Sequence, residues 1–415
     1  MTAFSRPAAG EDAILGVRPE TVFEPSTVEE AAEVVGESAR RGKTLAFVGG
    51  GTDLELGAQP SRLDAVVKTG RLARIVEHAP SDQIVVVEAG MTLGGLQAAL
   101  VLHRQRLALD PPLPGRKTMG GIIAANAYGP RRARFGSVRD LIIGISFVRA
   151  DGSLARGGGK VVKNVAGFDL PKLMVGSLGT LGLITTATFR LHPLPEEEVT
   201  LLLPGRTAGA VRALVAAVKK AQLEPTSVVG AWRENDRFDV AVRFEGFRSG
   251  VAEQRERLAG LVRDEAGGAC ETLDESAARA LWSRHDELRA APALRAKLTA
   301  LPTHIEPITK DILPGLLGAL GSPSFLWYAT LGLGFLAGSP ADAGSAAAAI
   351  QSARERVAGL GGTMTLQATP AAIRERLDVW GGGAAPPPAL ALMQSVKNRL
   401  DPQRRLAPGR FVGGI

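Results

Sequence analysis

The chain has 415 residues, which at about 150 residues per domain suggests two or three compact units. A composition that is 45% hydrophobic and 22% charged excludes disorder as the dominant state. The single cysteine, Cys270, excludes an intrachain disulfide and any multi-cysteine zinc or iron–sulfur site, and reads as a small buried hydrophobe. The longest apolar stretch, 326–337, is too short and too broken by glycine to span a bilayer. No basic segment leading into an apolar one precedes Glu11. A cytoplasmic protein is expected.

The net charge is +7, but thirteen Lys and Arg against four Asp fall between residues 104 and 172. The rest of the chain is slightly negative. A basic, glycine-rich segment of this kind suits a small polyanion held near backbone amides, with steering of an acidic substrate. Nucleic-acid binding is the weaker reading, because only 5% of the residues are aromatic and no reading motif is present.

In chain order, residues 1–20 carry no periodic pattern and read as an extended arm. Ser26-Thr27-Val28-Glu29 is a capping box opening a helix to about residue 41. A short buried strand over 44–48 ends in Gly49-Gly50-Gly51-Thr52. Strands near 65–68 and 83–89 follow, and a helix over 92–103 closes a first small α/β unit. A second unit begins at Asp110. It has a short helix over 120–127, a strand over 141–149 and a hairpin turn at Asp151-Gly152 with a return strand. A helix over 169–175 and a strand over 183–191 complete it. Pro193, Pro195 and the acidic run after them mark a domain boundary. Beyond it, amphipathic helices are expected at 211–221, 251–265 and 346–358, with strands such as 238–244 and 325–331, which suggests an α+β cap. Residues 339–349 and 381–388 are of low complexity and read as surface loops.

Three glycine sites carry the functional signal. Consecutive glycines at 49–51, after a strand, let several N–H groups surround one anion. The pattern is neither a dinucleotide-fold fingerprint, which would need glycine at Leu54, nor a Walker loop. Thr118-Met119-Gly120-Gly121 falls at a helix start, where unpaired N–H groups favour phosphate. Asn126, Gly129 and Gly136 follow closely, and a third cluster runs from Gly176 to Gly182. A glycine run alone is usually a tight turn. Three of them in one basic domain are better explained by a dinucleotide stretched along it.

The ordered segments GGGT, TMGG, NAYG, RFG, KVVKNVAGFDL and GSLGTLGLIT resemble the FAD-linked oxidase family with the PCMH-type flavin fold. The resemblance is strong over 21–195 and most specific over 151–186. Within the family the chain most resembles the FAD-binding subunit of glycolate oxidase, because of Leu178, Met174 and the short cap. The terminal Leu400-Asp401-Pro402 and Pro408-Gly409-Arg410-Phe411 resemble the family's closing segment. The implied architecture is α+β: an arm (1–20), a two-part PCMH-type FAD-binding domain (21–195), and an α+β cap (196–415) whose tail returns toward the flavin.

The resemblance implies that Gly49, Gly50, Gly51, Thr52 and Asp53 wrap the FAD pyrophosphate. Thr118, Gly120 and Gly121 would contact the pyrophosphate and ribityl region. Asn126 and Gly129 would lie nearer the isoalloxazine, with Gly136 and Gly182 in the same set and Ile184 near the adenine. Ala407 stands where the family motif has Asn, and Phe168 where it has Tyr. The GGGT loop has no histidine to form a flavin bond, so non-covalent FAD is expected.

Candidate catalytic residues are Asp169, Lys163 (with Asn164) and His304. Helix capping by Asp169 is an equal reading, and a surface or capping role for His304 is the plainer one. The five histidines, His78, His103, His192, His285 and His304, form no local metal pair, whereas catalytic relatives carry paired histidines in the cap; no metal site is expected. His103 reads as ending a helix. Arg284 and Arg289, near Trp282, are candidates for a carboxylate or for a solvated helix face. Arg131, Arg132 and Arg134 suit phosphate, a docked partner or an exposed loop.

By resemblance, the expected function is the FAD-binding subunit of a glycolate oxidase-like complex that oxidises a small 2-hydroxy acid to the 2-oxo acid. The implied partners are a second FAD-linked oxidase subunit and an iron–sulfur subunit. Any contact with the inner face of a membrane would be made through them. The alternatives are a non-catalytic flavin-holding subunit for electron transfer or assembly, and a self-sufficient D-2-hydroxyacid dehydrogenase.

Overall fold

The computed structural model describes residues 4–161, 168–233, 237–266, 269–321, 323–382 and 388–415. It divides into two compact units, one of Met1–Tyr128, Gly136–Pro193 and Gly382–Ile415, the other of Gly129–Phe135 and Leu194–Gly381. Among the described residues no helix is long and apolar enough to cross a membrane.

The first unit contains a four-stranded sheet in the order Ser5–Pro7, Thr21–Phe23, Ala65–Lys68, Leu45–Val48. Its last two pairings are parallel, as a crossover through the helix Val28–Arg40 requires. That helix is capped one residue later than the sequence suggested. Thr27 Oγ1 accepts from the Glu30 N–H at 3.1 Å, and Glu30 Oε2 accepts from the Thr27 and Ser26 N–H groups.

The expected N-terminal arm is instead built into this sheet. Ser5–Pro7 pairs with Thr21–Phe23. The side chain of Asp12, with no solvent exposure, lies between Arg6 at 2.7 Å and Lys68 at 2.6 Å. A three-residue strand and an ion triad leave no periodicity for a sequence pattern to show.

A second, antiparallel sheet has the order Ile75–Ala79, Ile84–Glu88, Leu183–Arg190, Ile142–Val148, Leu154–Gly158. The Asp151-Gly152 turn joins its last two strands, Val148 facing Leu154 and Gly152 at φ +87°. Alternate apolar residues of these strands, Val85, Val87, Ile145, Phe147 and Phe189, form one core with Ile122 and Ile123 of the helix Met119–Ala125. The same core fixes both ends of the glycine segments that follow and precede these elements. Residues 382–415 belong to this unit, with the helix Leu390–Leu400 and a tail that runs beside Leu45.

The second unit is an eight-stranded antiparallel sheet flanked by helices. The helices Ala208–Lys220, Arg248–Ala266 and Ala343–Gly359 extend the expected ones toward their N-termini. Residues 343–349, read as loop, are the first turns of the last of these, capped by Asp342 and burying Ala346 and Ala347. Alanine-rich sequence mimics low complexity there because the helix packs closely on its neighbours. Residues 383–387 of the other low-complexity stretch lie outside the described residues. Segment 129–135 also falls in this unit rather than in the flavin domain.

Candidate functional site

The strand Leu45–Val48 runs directly into the glycine triplet, and the triplet forms one wall of an open cleft of about 720 Å³ in the first unit. Gly49, Gly50, Gly51, Thr52 and Asp53 line it together with Thr118, Gly120, Gly121, Gly182 and Ile184. Leu178, Gly179 and Arg410 complete the lining on the side of the third glycine cluster and the tail.

Each glycine has a geometric reason. A Cβ on Gly49 would stand 2.0 Å from Thr118 Oγ1, and one on Gly50 would stand 1.8 Å from the Arg116 carbonyl oxygen. The triplet is therefore pressed against the segment that starts the next helix. Gly51 adopts φ +70°, where L side chains are strained.

The N–H groups of Gly50, Gly51, Thr52 and Asp53 donate to no protein acceptor among the described residues. A run of backbone donors on a cleft wall is what a pyrophosphate requires. The structure thus fits FAD at this wall.

The second glycine site works differently from the sequence-based expectation. The Met119, Gly120 and Gly121 N–H groups already donate to Met91 O, Ala89 O and Thr118 Oγ1. They are not available to a phosphate. Glycine at 120 instead permits close packing, since its Cβ would meet the Ala89 Cβ at 2.8 Å. The third cluster zips onto this helix through Gly176 N–H to Ile123 O and Leu178 N–H to Ala124 O. Two buried polar atoms in these segments, Asn126 Oδ1 and Ser177 Oγ, have no protein partner among the described residues.

Charge in the cleft is mostly internal. Lys117, buried behind the triplet, pairs with Asp53 and donates to Thr52 Oγ1 at 3.2 Å. Arg410 donates to the carbonyls of Leu54, Leu56 and Ala58, pinning the segment that follows the triplet. Sequence reading did not count Lys117 or Arg410 among the site residues. Arg410 lies more than 350 residues from the loop it holds, so no local pattern announces it.

Other candidates lie elsewhere. Asn126 caps its helix in the left-handed region at φ 49° without lining the cleft. Gly129 is in the second unit, and Gly136 packs on Asp140 at φ +81°. Asp169 is exposed and caps the helix Leu170–Met174. Its carboxyl is held below the usual range, chiefly by the hydrogen bond from Lys172, and a depressed carboxylate is a weaker base.

Lys163 and Asn164 lie outside the described residues. His304 is in the second unit, with Nδ1 buried and without a hydrogen-bond partner among the described residues. Arg289 lies over the Phe335 ring at 3.6 Å, and Arg284 faces Glu287 on an exposed turn. Arg131 bridges Glu198 and Glu245 and Arg134 bridges Glu224, all inside the second unit. Phe168, where the family has Tyr, is 90% exposed.

Comparison with known proteins agrees with this geometry. The model of a family described as an FAD binding domain matches residues 19–158. The chain is 35% identical over 189 residues to the glycolate oxidase subunit GlcE of Escherichia coli, covering 45% of this chain and 52% of that protein. It is also 35% identical over 185 residues to a D-lactate dehydrogenase of Archaeoglobus fulgidus, covering 44% and 41%. The chain therefore matches about half the length of these relatives.

Among solved structures, an alkyldihydroxyacetonephosphate synthase superposes with a TM-score of 0.74 at 16% identity, over 95% of this chain and 78% of that one. That likeness establishes the fold. The glycine triplet, whose backbone donors have no protein acceptor among the described residues, falls within the matched FAD binding domain, and the chain takes FAD as its cofactor.

Proposed function

We propose that this chain is the FAD-binding subunit of a glycolate oxidase-like complex, oxidising a small 2-hydroxy acid to the corresponding 2-oxo acid. The observation that carries the reading is the cleft built by the glycine triplet within the matched FAD binding domain, in a chain similar to proteins named as a glycolate oxidase subunit and a D-lactate dehydrogenase. Bound FAD would supply the hydride acceptor. Gly50 to Asp53 would hold its pyrophosphate, Lys117 would offset the Asp53 carboxylate beside it, and Gly179, Gly182 and Ile184 would form the opposite wall. FAD would be bound non-covalently, since the loop next to it, Gly49 to Asp53, has no histidine or cysteine.

A proton acceptor and a group that fixes the substrate carboxylate are also needed. Asp169 is exposed and already paired, and the five histidines contain no paired motif. This supports a subunit that works with a second flavin chain and an iron–sulfur chain over a self-sufficient dehydrogenase. The test is dye reduction by the purified chain with glycolate or D-lactate, before and after those partners are added. Little turnover alone and activity on assembly is the expected result. Rapid turnover by the chain alone would favour the self-sufficient reading and defeat the subunit one.

A further inference from the structure

Lys397, on the helix Leu390–Leu400, has no solvent exposure. Its ammonium has three N–H donors, and all are used: to Thr180 O at 2.8 Å, Asp401 Oδ2 at 2.7 Å and Leu406 O at 2.9 Å. The same Asp401 oxygen accepts from the Leu406 N–H at 2.8 Å. Burial pushes the lysine downward in pKa while Asp401 opposes the shift. A buried ion pair is weak grounds for stability, because apolar residues of similar volume usually serve as well or better. The three partners point to another role.

Thr180 sits between Gly179 and Gly182, two residues of the cleft wall. Leu406 lies beside Leu45, the first residue of the strand that ends in the glycine triplet. Arg405 O accepts from the Leu45 N–H at 2.9 Å, and the Ala407 N–H donates to Leu45 O at 2.7 Å. One ammonium therefore joins the loop on one side of the cleft to the strand that carries the other.

We propose that Lys397, neutralised by Asp401, is a positioning residue for FAD, holding the 176–182 loop and the glycine-triplet strand in the relative placement the cofactor needs. The inference rests on the FAD reading above. Loss of the ammonium leaves two carbonyls without donors and frees the two walls to shift against each other. A shift of about an ångström is enough to spoil a site built on aligned donors.

The test uses the full chain with Lys397→Met, and a second variant, Lys397→Met/Asp401→Leu, that leaves no buried charge. Melting without FAD reads stability, and quenching of flavin fluorescence reads the Kd at a temperature where the protein is folded. The double variant should melt near the wild type and yet bind FAD at least tenfold more weakly. A merely structural role would change melting and leave the Kd alone, so folded variants that bind within twofold of wild type overturn the proposal.

Hydrogen exchange on the wild-type chain reads the same coupling without any variant. FAD should raise protection in the helix Leu390–Leu400 as well as in the loops, by reciprocity of linked equilibria. Unchanged protection in that helix would also overturn it. A wild-type chain that takes up no FAD refutes the cofactor reading itself. FAD uptake by wild type with unaltered variants refutes only the role of Lys397.

Discussion

Gly50→Ala separates the geometry of the cradle from its chemistry, because it removes no polar group. The new Cβ would stand 1.8 Å from the Arg116 carbonyl oxygen and 2.8 Å from its carbon, where real Cβ contacts essentially never fall below 3.0 Å. One of the two backbone segments must retreat by more than about 1 Å, a displacement large enough to break alignment with a bound ligand. The retreat moves the Gly50 to Asp53 N–H groups off the pyrophosphate. Each hydrogen bond to a charged group contributes about 1.5–3 kcal/mol, so losing two of them costs about 3–6 kcal/mol.

That loss weakens FAD binding by at least about a hundredfold. Two glycines act as controls. Gly51→Ala would meet only Leu54 Cδ1 at 3.8 Å, and so should cost only its left-handed strain, about 1–2 kcal/mol. Gly10→Ala meets nothing within 4 Å and should leave binding unchanged. Flavin fluorescence titration of the FAD-free protein gives the three affinities, and melting without FAD checks the fold. Wild-type affinity in Gly50→Ala would show that the triplet does not form the cofactor wall.

Three further outcomes follow from single sites. Ala407 is buried at φ 43°, so Ala407→Gly should relieve about 1 kcal/mol of strain and raise the melting temperature by about 1–3 °C; a lower value would contradict this. His192 is held down to about 4 by burial first and then by Arg190 and Arg106. The unfolded chain therefore binds a proton the folded one does not between about pH 6.5 and 4. Stability should fall by about 1–3 kcal/mol as pH drops through that window, and His192→Gln should flatten the slope; an unchanged slope assigns it elsewhere. The Asp12 carboxyl is held well below its usual range, chiefly by the Arg6 hydrogen bond. Asp12→Asn should cost about 1–3 kcal/mol at pH 7, with the gap to wild type closing only below about pH 4; equal melting at pH 7 would refute the triad.

Local signals in the sequence carried most of the flavin domain. The glycine run after the strand over 44–48, the Asp151-Gly152 turn and the strand over 183–191 each specify their neighbourhood, and the structure brings the glycine run and the start of the 183–191 strand to one cleft. The chemistry assigned to each glycine was less legible. Gly120 serves packing against Ala89, which sequence cannot separate from phosphate approach because both demand a missing side chain.

What escaped altogether depends on distant partners. Lys397 and Thr180 are 217 positions apart, and neither residue type suggests the other. Arg131 reads as a loop cation, yet its two carboxylates come from strands 67 and 114 positions further along the chain, in the same unit. Asp12 looks like part of a patternless arm because an ion triad has no period.

The most direct measurement is the flavin content of the purified chain after reconstitution with FAD, removal of unbound cofactor and acid precipitation. One FAD per chain, recovered intact in the supernatant and lost in Gly50→Ala, is the result expected of a non-covalent cofactor held by the glycine triplet. A folded chain that retains no FAD, or flavin that stays with the precipitated protein, would contradict it.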